Sequence, residues 1–295
     1  MDIKKLYGSI VALVTPFDDN GAIDFSAFDG LIEFHLRNGT SSILISGTTG
    51  EGPTITNDEL ATMLSRARAI AGDEYPLIAG TGTNSTLSTI QRTKLAEESG
   101  ADFALIVGPY YNKPTQEGFY RHFEAVGEEV DIPIIIYNVP GRTGSNILPE
   151  TVVRLFELTG IVGIKEASGD LKQIEKLLDS KPPNEVVLSG DDALTLSIIA
   201  LGGIGVISVV ANEMPSDMAE LVSSALAGDL DRAQNLREKM LPLMDANFIE
   251  SNPIPVKYAL SKMGMIAETY RLPMLSLEKN SKDKMDEILK SSGLI

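Results

Sequence analysis

The sequence predicts an α/β fold in which a closed (β/α)8 TIM barrel precedes a C-terminal helical extension. Eight apolar, β-branched runs alternate with segments of helical period, and the strand pattern stops near residue 230. Strands that are apolar on both faces and separated by helices indicate a parallel sheet covered on both sides. Eight such units within about 225 residues favour a barrel over an open, doubly wound sheet. We therefore expect a barrel domain over residues 1–229 and a helical extension over residues 230–295.

Gly, Pro, Ser or Asn marks the junctions between the strand and helical patterns. In chain order the strand candidates are SIVALVTP near residue 9, SSILISG near 41, PLIAGTG near 76, DFALIVGP near 102, IPIIIYNVP near 132, IVGIKEAS near 161, EVVLSG near 185 and GIGVISVV near 203. Thr56 and Glu59 have the spacing of a helix capping box. After residue 230 the helical patterns are LDRAQNLREKMLPLMDANF, PIPVKYALSKMG and SKDKMDEILKSSG.

Charge and composition narrow the classes of partner. The 295 residues carry a formal net charge of -16, which repels phosphate backbones and anionic bilayers, so we expect neither nucleic acid nor a membrane as partner. Without cysteine the chain forms no disulfide and no thiolate metal site, which suits a reducing cytoplasm. The first ten residues, MDIKKLYGSI, lack the apolar core of a signal peptide, and we expect a cytoplasmic protein.

Residues 193–211 form an uncharged run of 19 positions, long enough to cross a bilayer. Gly202, Gly203 and Gly205 interrupt the middle of the run, and the sequence after them is β-branched. Acidic residues rather than basic anchors flank it. We therefore expect a short buried helix, a turn and a buried strand instead of a membrane span.

A lysine inside the sixth strand candidate needs an explanation. Lys165 lies in IVGIKEASGD, where strand alternation places Gly163 and Ala167 on its face and leaves room for it to point inward. A buried apolar site would lower the pKa of its amine and make it a nucleophile near neutral pH. Two other interpretations remain open, namely pairing with Glu166 or Asp170, or a side chain that reaches solvent.

Barrels carry their chemistry at the carboxyl ends of their strands, where other reactive side chains occur in this sequence. Tyr137 ends the fifth strand candidate and offers a phenol that can donate and accept a proton, or it is an ordinary core tyrosine. Thr48 and Thr49, between Gly47 and Gly50, offer hydroxyls and backbone N–H groups to a small carboxylate; a tight turn is the alternative.

Arg142, in the loop after the fifth strand candidate, has the guanidinium geometry for bidentate carboxylate binding, or it is merely solvated. Tyr110 and Tyr111 suit either the site or a subunit contact. A metal site would need several histidine or cysteine ligands, but the only histidines are His35 and His122, which we expect on solvated helix surfaces. We therefore expect no metal in the site.

Six motifs extend along essentially the whole chain, namely GSIVALVTPF, GTTGEGPT, PYYNKPTQEG, YNVPGRTG, GIKEASGD and LSGDD. Together they resemble the dihydrodipicolinate synthase family, within the pyruvate-dependent class I aldolases that also include N-acetylneuraminate lyase. The resemblance implies a lyase that needs no cofactor and condenses pyruvate with L-aspartate 4-semialdehyde. Its product would be 4-hydroxy-tetrahydrodipicolinate, on the route to diaminopimelate and lysine.

By this resemblance, Lys165 forms an imine with the ketone of pyruvate, and loss of a proton then gives an enamine nucleophile. Tyr137 would shuttle protons, and Thr48 would link it to Tyr111 from a neighbouring subunit. Thr49 would hold the pyruvate carboxylate. The family also implies a homotetramer built as a dimer of dimers.

Arg142 would receive the carboxylate of the semialdehyde, while Gly190 and Ile207 would line the pocket with backbone groups. Sibling lyases for sialic acid and keto-sugar acids usually lack the GR pair of this loop, so Arg142 favours the synthase. Such a lyase is the principal alternative. A non-catalytic carboxylate-binding barrel is an alternative of another class, which the combination of Lys165 and Tyr137 with the threonines disfavours.

One region departs from those family members that lysine inhibits. They carry histidines and a glutamate around an interface site where this chain has Asn57, Leu60 and Ser88, although Asn84 and Tyr110 remain. We therefore expect weak or absent feedback inhibition by lysine.

Overall fold

The eight predicted strands are present and close into one parallel barrel. The computed structural model of the protein describes residues 3–295, and its strands are Gly8–Ala12 (β1), Ser42–Ile45 (β2), Leu77–Gly80 (β3), Phe103–Val107 (β4), Ile134–Asn138 (β5), Ile161–Glu166 (β6), Val186–Ser189 (β7) and Gly205–Ser208 (β8). Neighbours in the sequence pair with one another, and β8 pairs with β1. The predicted TIM barrel is confirmed.

Helices connect the strands and follow the barrel. They are Phe25–Arg37 (α1), Asn57–Ala71 (α2), Thr86–Glu98 (α3), Gln116–Gly127 (α4), Pro140–Thr143 (α5), Pro149–Leu155 (α6), Leu171–Ser180 (α7), Thr195–Ala200 (α8), Pro215–Leu226 (α9), Leu230–Ala246 (α10), Ile254–Lys262 (α11) and Lys279–Ser291 (α12). The predicted capping box at the start of α2 is present, because the Thr56 hydroxyl accepts from Glu59 N–H and the Glu59 carboxylate accepts from Thr56 N–H.

The strands are apolar on both faces because the barrel has two apolar layers. In β4, Phe103 and Leu105 point into the barrel interior, whereas Ala104 and Ile106 pack against the surrounding helices. This alternation has the two-residue period of a strand. It explains why the strands appear in the sequence as continuous apolar runs rather than as alternating ones.

One irregularity in β6 sets the direction of Lys165. Ile134 pairs with Ile161 and Ile135 with Gly163, so Val162 is an extra residue in the ladder, a β-bulge. Val162 packs in the interior cluster, and strict alternation from it would turn Lys165 outward. The bulge shifts the alternation by one residue, so Lys165 also points inward, beside interior residues such as Leu105.

The uncharged run over residues 193–211 folds as predicted. It contains the short helix α8, a turn through Gly202 and Gly203, and the buried strand β8. None of the helices in residues 3–295 is long and apolar enough to cross a membrane.

The three helices after residue 229 form the predicted extension and pack on the barrel. Met240 of α10, Leu260 of α11 and Leu289 of α12 are buried in the same apolar cluster as Met218 of α9. The extension therefore shares its core with the helices of the barrel. The segment between α10 and α11 lies at the carboxyl ends of the strands, where Phe248 and Asn252 line a cavity.

The expectation that both histidines lie on solvated surfaces is wrong. His35 is fully buried and His122 is 5% exposed, and the Nδ1 of each lies 2.9 Å from a threonine hydroxyl. Burial lowers the pKa of His35 to about 3 and that of His122 to about 4. His35 continues the apolar stripe of Phe28, Leu31 and Ile32 on α1, so helical periodicity places it in the core.

The buried His35 should make the protein less stable in mild acid. Its pKa is about 3 in the folded state but near 6.5 in an unfolded chain, so the unfolded state binds the proton more readily and stability is lost as the pH falls from 6.5 towards 3. Between pH 8 and pH 5, His35 should remove about 2 kcal/mol from the free energy of unfolding. Urea unfolding at both pH values should show a pH effect smaller by that amount in His35→Gln. An equal loss in both proteins would contradict a neutral, buried His35.

Candidate active site

Two connected cavities lie at the carboxyl ends of the strands. The inner cavity has a volume of about 40 Å³ and the outer one of about 340 Å³. Thr48, Leu105, Tyr137 and Arg142 line both, so the outer cavity leads into the inner one. The inner cavity brings together six of the eight predicted site residues, namely Lys165, Tyr137, Thr48, Thr49, Arg142 and Gly190.

Lys165 is buried without a carboxylate partner. It is 6% exposed, and its side chain forms no ion pair with the carboxylates of residues 3–295. The Glu166 carboxylate accepts instead from Asn138 Nδ2 and from Ser168 N–H, and Asp170 caps the N-terminus of α7. These contacts exclude the ion pair as an interpretation of Lys165, and its burial excludes a side chain that reaches solvent.

Burial makes the amine of Lys165 a better nucleophile. Loss of hydration penalises the ammonium and lowers the pKa of Lys165 to about 8; the negative charge of Asp192 opposes this shift and the positive charge of Arg142 adds to it. At pH 7 about a tenth of the molecules then carry a neutral amine, against fewer than about one in a thousand for an ordinary lysine. The site therefore supplies a neutral amine without a separate base.

The side chain of Lys165 has room because Gly190, directly after β7, has no side chain. A Cβ atom on Gly190 would lie 2.6 Å from Ala167 Cβ and 3.0 Å from Lys165 Cε. The Gly190 N–H already donates to the Glu166 carbonyl at 2.8 Å. What Gly190 contributes to this wall is thus the absence of a side chain.

Tyr137 lies directly beside the lysine. The two residues are register partners on β5 and β6, and Lys165 Nζ lies 4.6 Å from the centre of the Tyr137 ring. Burial raises the pKa of Tyr137, while the charge of Arg142 and the hydroxyl of Thr48 partly offset that effect. The phenol is therefore neutral at physiological pH and can both donate and accept a proton.

Thr48 and Thr49 lie in a tight turn after β2. Ser46 and Glu51, at the two ends of the turn, have φ values of 59° and 53°, and the Gly52 N–H donates to the Gly47 carbonyl at 3.0 Å. The turn and the cavity wall are the same structure, so the two interpretations of the GTTG stretch do not exclude each other. The turn directs both threonines towards Lys165.

Sequence reasoning missed Asn252, which joins two of the predicted residues. Its Nδ2 donates to Thr49 Oγ1 at 3.0 Å, and its carbonyl accepts from Arg142 Nη2 at 3.2 Å. Asn252 and Phe248 come from the segment between α10 and α11 and line the inner cavity. No local motif indicates them, because the contact with Thr49 spans 203 positions of sequence.

Two predicted residues lie apart from the inner cavity. Tyr111 is 87% exposed, with φ 74°, and its N–H donates to the carbonyl of Thr143. Ile207 is buried in the interior apolar cluster, and the wall of the cavity on that side is Val209. Within one chain the side chains of these two residues are therefore not part of the cavity wall.

The arrangement can bind a small keto acid covalently. An amine of lowered pKa, a neutral phenol and a hydroxyl-bearing turn surround one small cavity, and Arg142 lies where the larger cavity opens into it. An amine nucleophile beside a proton-transferring phenol is the apparatus of imine chemistry.

Known proteins share both the sequence and the fold. A model of the dihydrodipicolinate synthetase family matches residues 5–292. The 4-hydroxy-tetrahydrodipicolinate synthase of Thermodesulfovibrio yellowstonii is 51% identical over 288 residues, which cover 98% of this chain and 99% of that protein. Its counterpart from Chloroherpeton thalassium is 48% identical over 296 residues and covers 100% of this chain and 98% of its own. The crystal structure of dihydrodipicolinate synthase from Aquifex aeolicus is similar at a TM-score of 0.95 with 46% identity, over 98% of both chains. The chain therefore belongs to the dihydrodipicolinate synthase family.

Proposed function

We infer that the protein catalyses the reaction of 4-hydroxy-tetrahydrodipicolinate synthases, the condensation of pyruvate with L-aspartate 4-semialdehyde. It is a class I lyase, in which an amine of the protein carries pyruvate as an imine. The observation that carries this inference is the buried, unpaired amine of Lys165 at 4.6 Å from the Tyr137 ring, on the scaffold of this family. We expect the enzyme to act in the cytoplasm, in the biosynthesis of diaminopimelate and lysine.

The chemistry proceeds through the lysine amine. Neutral Lys165 attacks the ketone carbon of pyruvate, and expulsion of water forms the imine. The iminium withdraws electrons from the methyl group, which loses a proton and becomes an enamine. The enamine carbon adds to the aldehyde carbon of the semialdehyde. The amine of that substrate then displaces the amine of Lys165 from the imine carbon, which closes the ring and frees the lysine.

Tyr137 transfers the protons in these steps. Its neutral, buried phenol beside Lys165 can accept a proton from one intermediate and return it to the next. Thr48, whose hydroxyl acts on the pKa of Tyr137, extends the relay. Tyr111 completes it from a neighbouring subunit, a role that suits a tyrosine exposed on its own chain. The enzyme then needs at least a dimer, and we propose a homotetramer built as a dimer of dimers.

Two parts of the site bind carboxylates. Thr49, held by Asn252, presents its hydroxyl and backbone N–H to the carboxylate of pyruvate. Arg142 binds the carboxylate of the semialdehyde at the opening between the cavities. The residues lining the outer cavity include two arginines, Arg92 and Arg142, and no acidic residue, which favours anionic substrates on a chain of net charge -16. Gly190 forms part of the remaining wall, and we propose that Ile207, behind Val209, contributes only through its backbone.

Borohydride reduction followed by intact-mass measurement tests the imine. With pyruvate, the wild type should gain one reduced pyruvate adduct and Lys165→Ala none, because only the amine of Lys165 forms the imine. L-Aspartate 4-semialdehyde should deplete the adduct by consuming the enamine. An adduct that persists when the semialdehyde is present would instead favour a sibling aldolase, and no adduct at all would favour a carboxylate-binding barrel.

The rate of imine formation should rise with pH as the amine of Lys165 loses its proton. The neutral amine is the nucleophile, so kcat/KM for pyruvate should rise with pH and level off above a pKa of about 8. In Asp192→Asn the negative charge that raises this pKa is lost, so the inflection should move to lower pH. Initial rates from pH 6 to pH 10 measure both. An unchanged inflection in Asp192→Asn would contradict the electrostatic role assigned to Asp192.

Lysine should be a weak inhibitor or none. In the region where the resemblance places histidines and a glutamate in lysine-inhibited members, Asn57 accepts a hydrogen bond from Arg92 Nη1 at 3.1 Å, so a cation already occupies this region. A second cation gains little beside it, since no acidic residue lines the outer cavity. Initial rates should therefore stay above half of their uninhibited value in millimolar lysine. Inhibition by half or more would overturn this expectation.

A further inference from the structure

A buried ion pair joins the C-terminal extension to the loop that carries Thr48 and Thr49. Lys257 Nζ donates to Glu51 Oε1 at 2.5 Å, across 206 positions of sequence. The exposed fractions of the two side chains are 0% and 2%. Charges this deeply buried are costly, and a pair of them is often no more stabilising than apolar side chains of similar volume. Stability alone is therefore a weak reason for this pair.

The surroundings hold both charges in fixed positions. The second oxygen of Glu51 accepts from Arg271 N–H at 3.1 Å. The ammonium of Lys257 lies 4.3 Å from the centre of the Phe17 ring and 5.1 Å from that of Tyr270. Cation–π contacts of this kind stabilise a desolvated ammonium. The carboxylate of Glu51 thus has one fixed location, determined by residues far away in the sequence.

The position of Glu51 sets the position of the catalytic turn. Glu51 adopts a left-handed conformation, with φ 53°, and its N–H donates to the Thr48 carbonyl at 3.1 Å. Thr49 is two residues before it and has its hydroxyl bound by Asn252, five residues before Lys257. One segment of the extension therefore holds the turn at two points. Because these short contacts close the turn, a shift of Glu51 would also shift Thr48 and Thr49.

We propose that Glu51 and Lys257 are positioning residues for Thr48 and Thr49, and that the C-terminal extension is in this way part of the catalytic apparatus. Neither residue lines the inner cavity or touches Lys165. They act through the turn, which they keep in the geometry that binds the pyruvate carboxylate. This proposal rests on the function proposed above, because it assigns Thr49 to the carboxylate of pyruvate.

The double variant Glu51→Met/Lys257→Met tests the proposal. Replacing both charges by apolar side chains of similar length leaves no unpaired charge in the core, and such replacements are often neutral for folding. A displaced turn should lower kcat/KM for pyruvate by about a hundredfold, mainly through KM. Lys262→Met is the matched control, since it removes a lysine of the same helix that pairs with Asp286 at the surface. The control should keep the wild-type KM. A folded double variant with the wild-type KM and kcat would overturn the proposal.

Hydrogen exchange on the unmodified protein provides a test that does not depend on whether the variant folds. If the pair positions the turn, the amides of residues 47–52 and those of α11 should open together, and pyruvate should slow the exchange of both by similar factors. A turn that pyruvate protects while α11 is unaffected would refute the coupling.

The imine-trapping experiment separates this proposal from the proposed function. A wild type that forms no pyruvate adduct would refute the imine chemistry itself. A wild type that forms the adduct, together with a folded double variant that reaches full adduct at the same pyruvate concentration, would refute only the positioning role.

Discussion

The reactivity of Lys165 depends on the burial of its amine away from water, with no ion pair to a carboxylate of residues 3–295. Burying an ammonium without a partner is unfavourable, so burial lowers the pKa of Lys165 and enlarges the fraction of molecules with a neutral amine. The neutral form is also the one that attacks a ketone. Asp192 limits the shift by its negative charge, so that the pKa stays near 8 rather than falling further. Tyr137, Arg142 and the two threonines lie around the cavity that this desolvated amine faces.

The catalytic turn is held from several sides. The guanidinium of Arg92, on α3, donates to Ser46 Oγ and to the Ile55 carbonyl, at the two ends of the segment. On the other side the C-terminal extension holds Glu51 and Thr49. A hydroxyl that binds a carboxylate must be placed to within a fraction of an ångström. Anchoring of the turn therefore strengthens binding of the carboxylate. Loops that carry chemistry are commonly supported in this way by the rigid elements around them.

Local patterns allowed more of the fold than of the site to be predicted. The eight strands follow from apolar runs of β-branched residues, and the cap of α2 from the spacing of Thr56 and Glu59. The solvated position expected for both histidines was wrong; His35, for example, lies on the apolar stripe of α1, which faces the core. Asn252 and the pair of Glu51 with Lys257 were not found, since each contact joins segments about two hundred residues apart.

The sequence by itself determined the order and type of the elements, the closed barrel, the strand that carries Lys165 and, through its motifs, the family. These depend on periodicity and on short stretches of residues, which are local properties. Only the tertiary structure decided the bulge at Val162 that keeps Lys165 inward, the lack of an ion pair between its amine and the carboxylates of residues 3–295, and the support that the extension gives to the turn of Thr48 and Thr49. These depend on which distant segments meet, and that is settled by how the apolar layers pack together rather than by any one stretch of the chain.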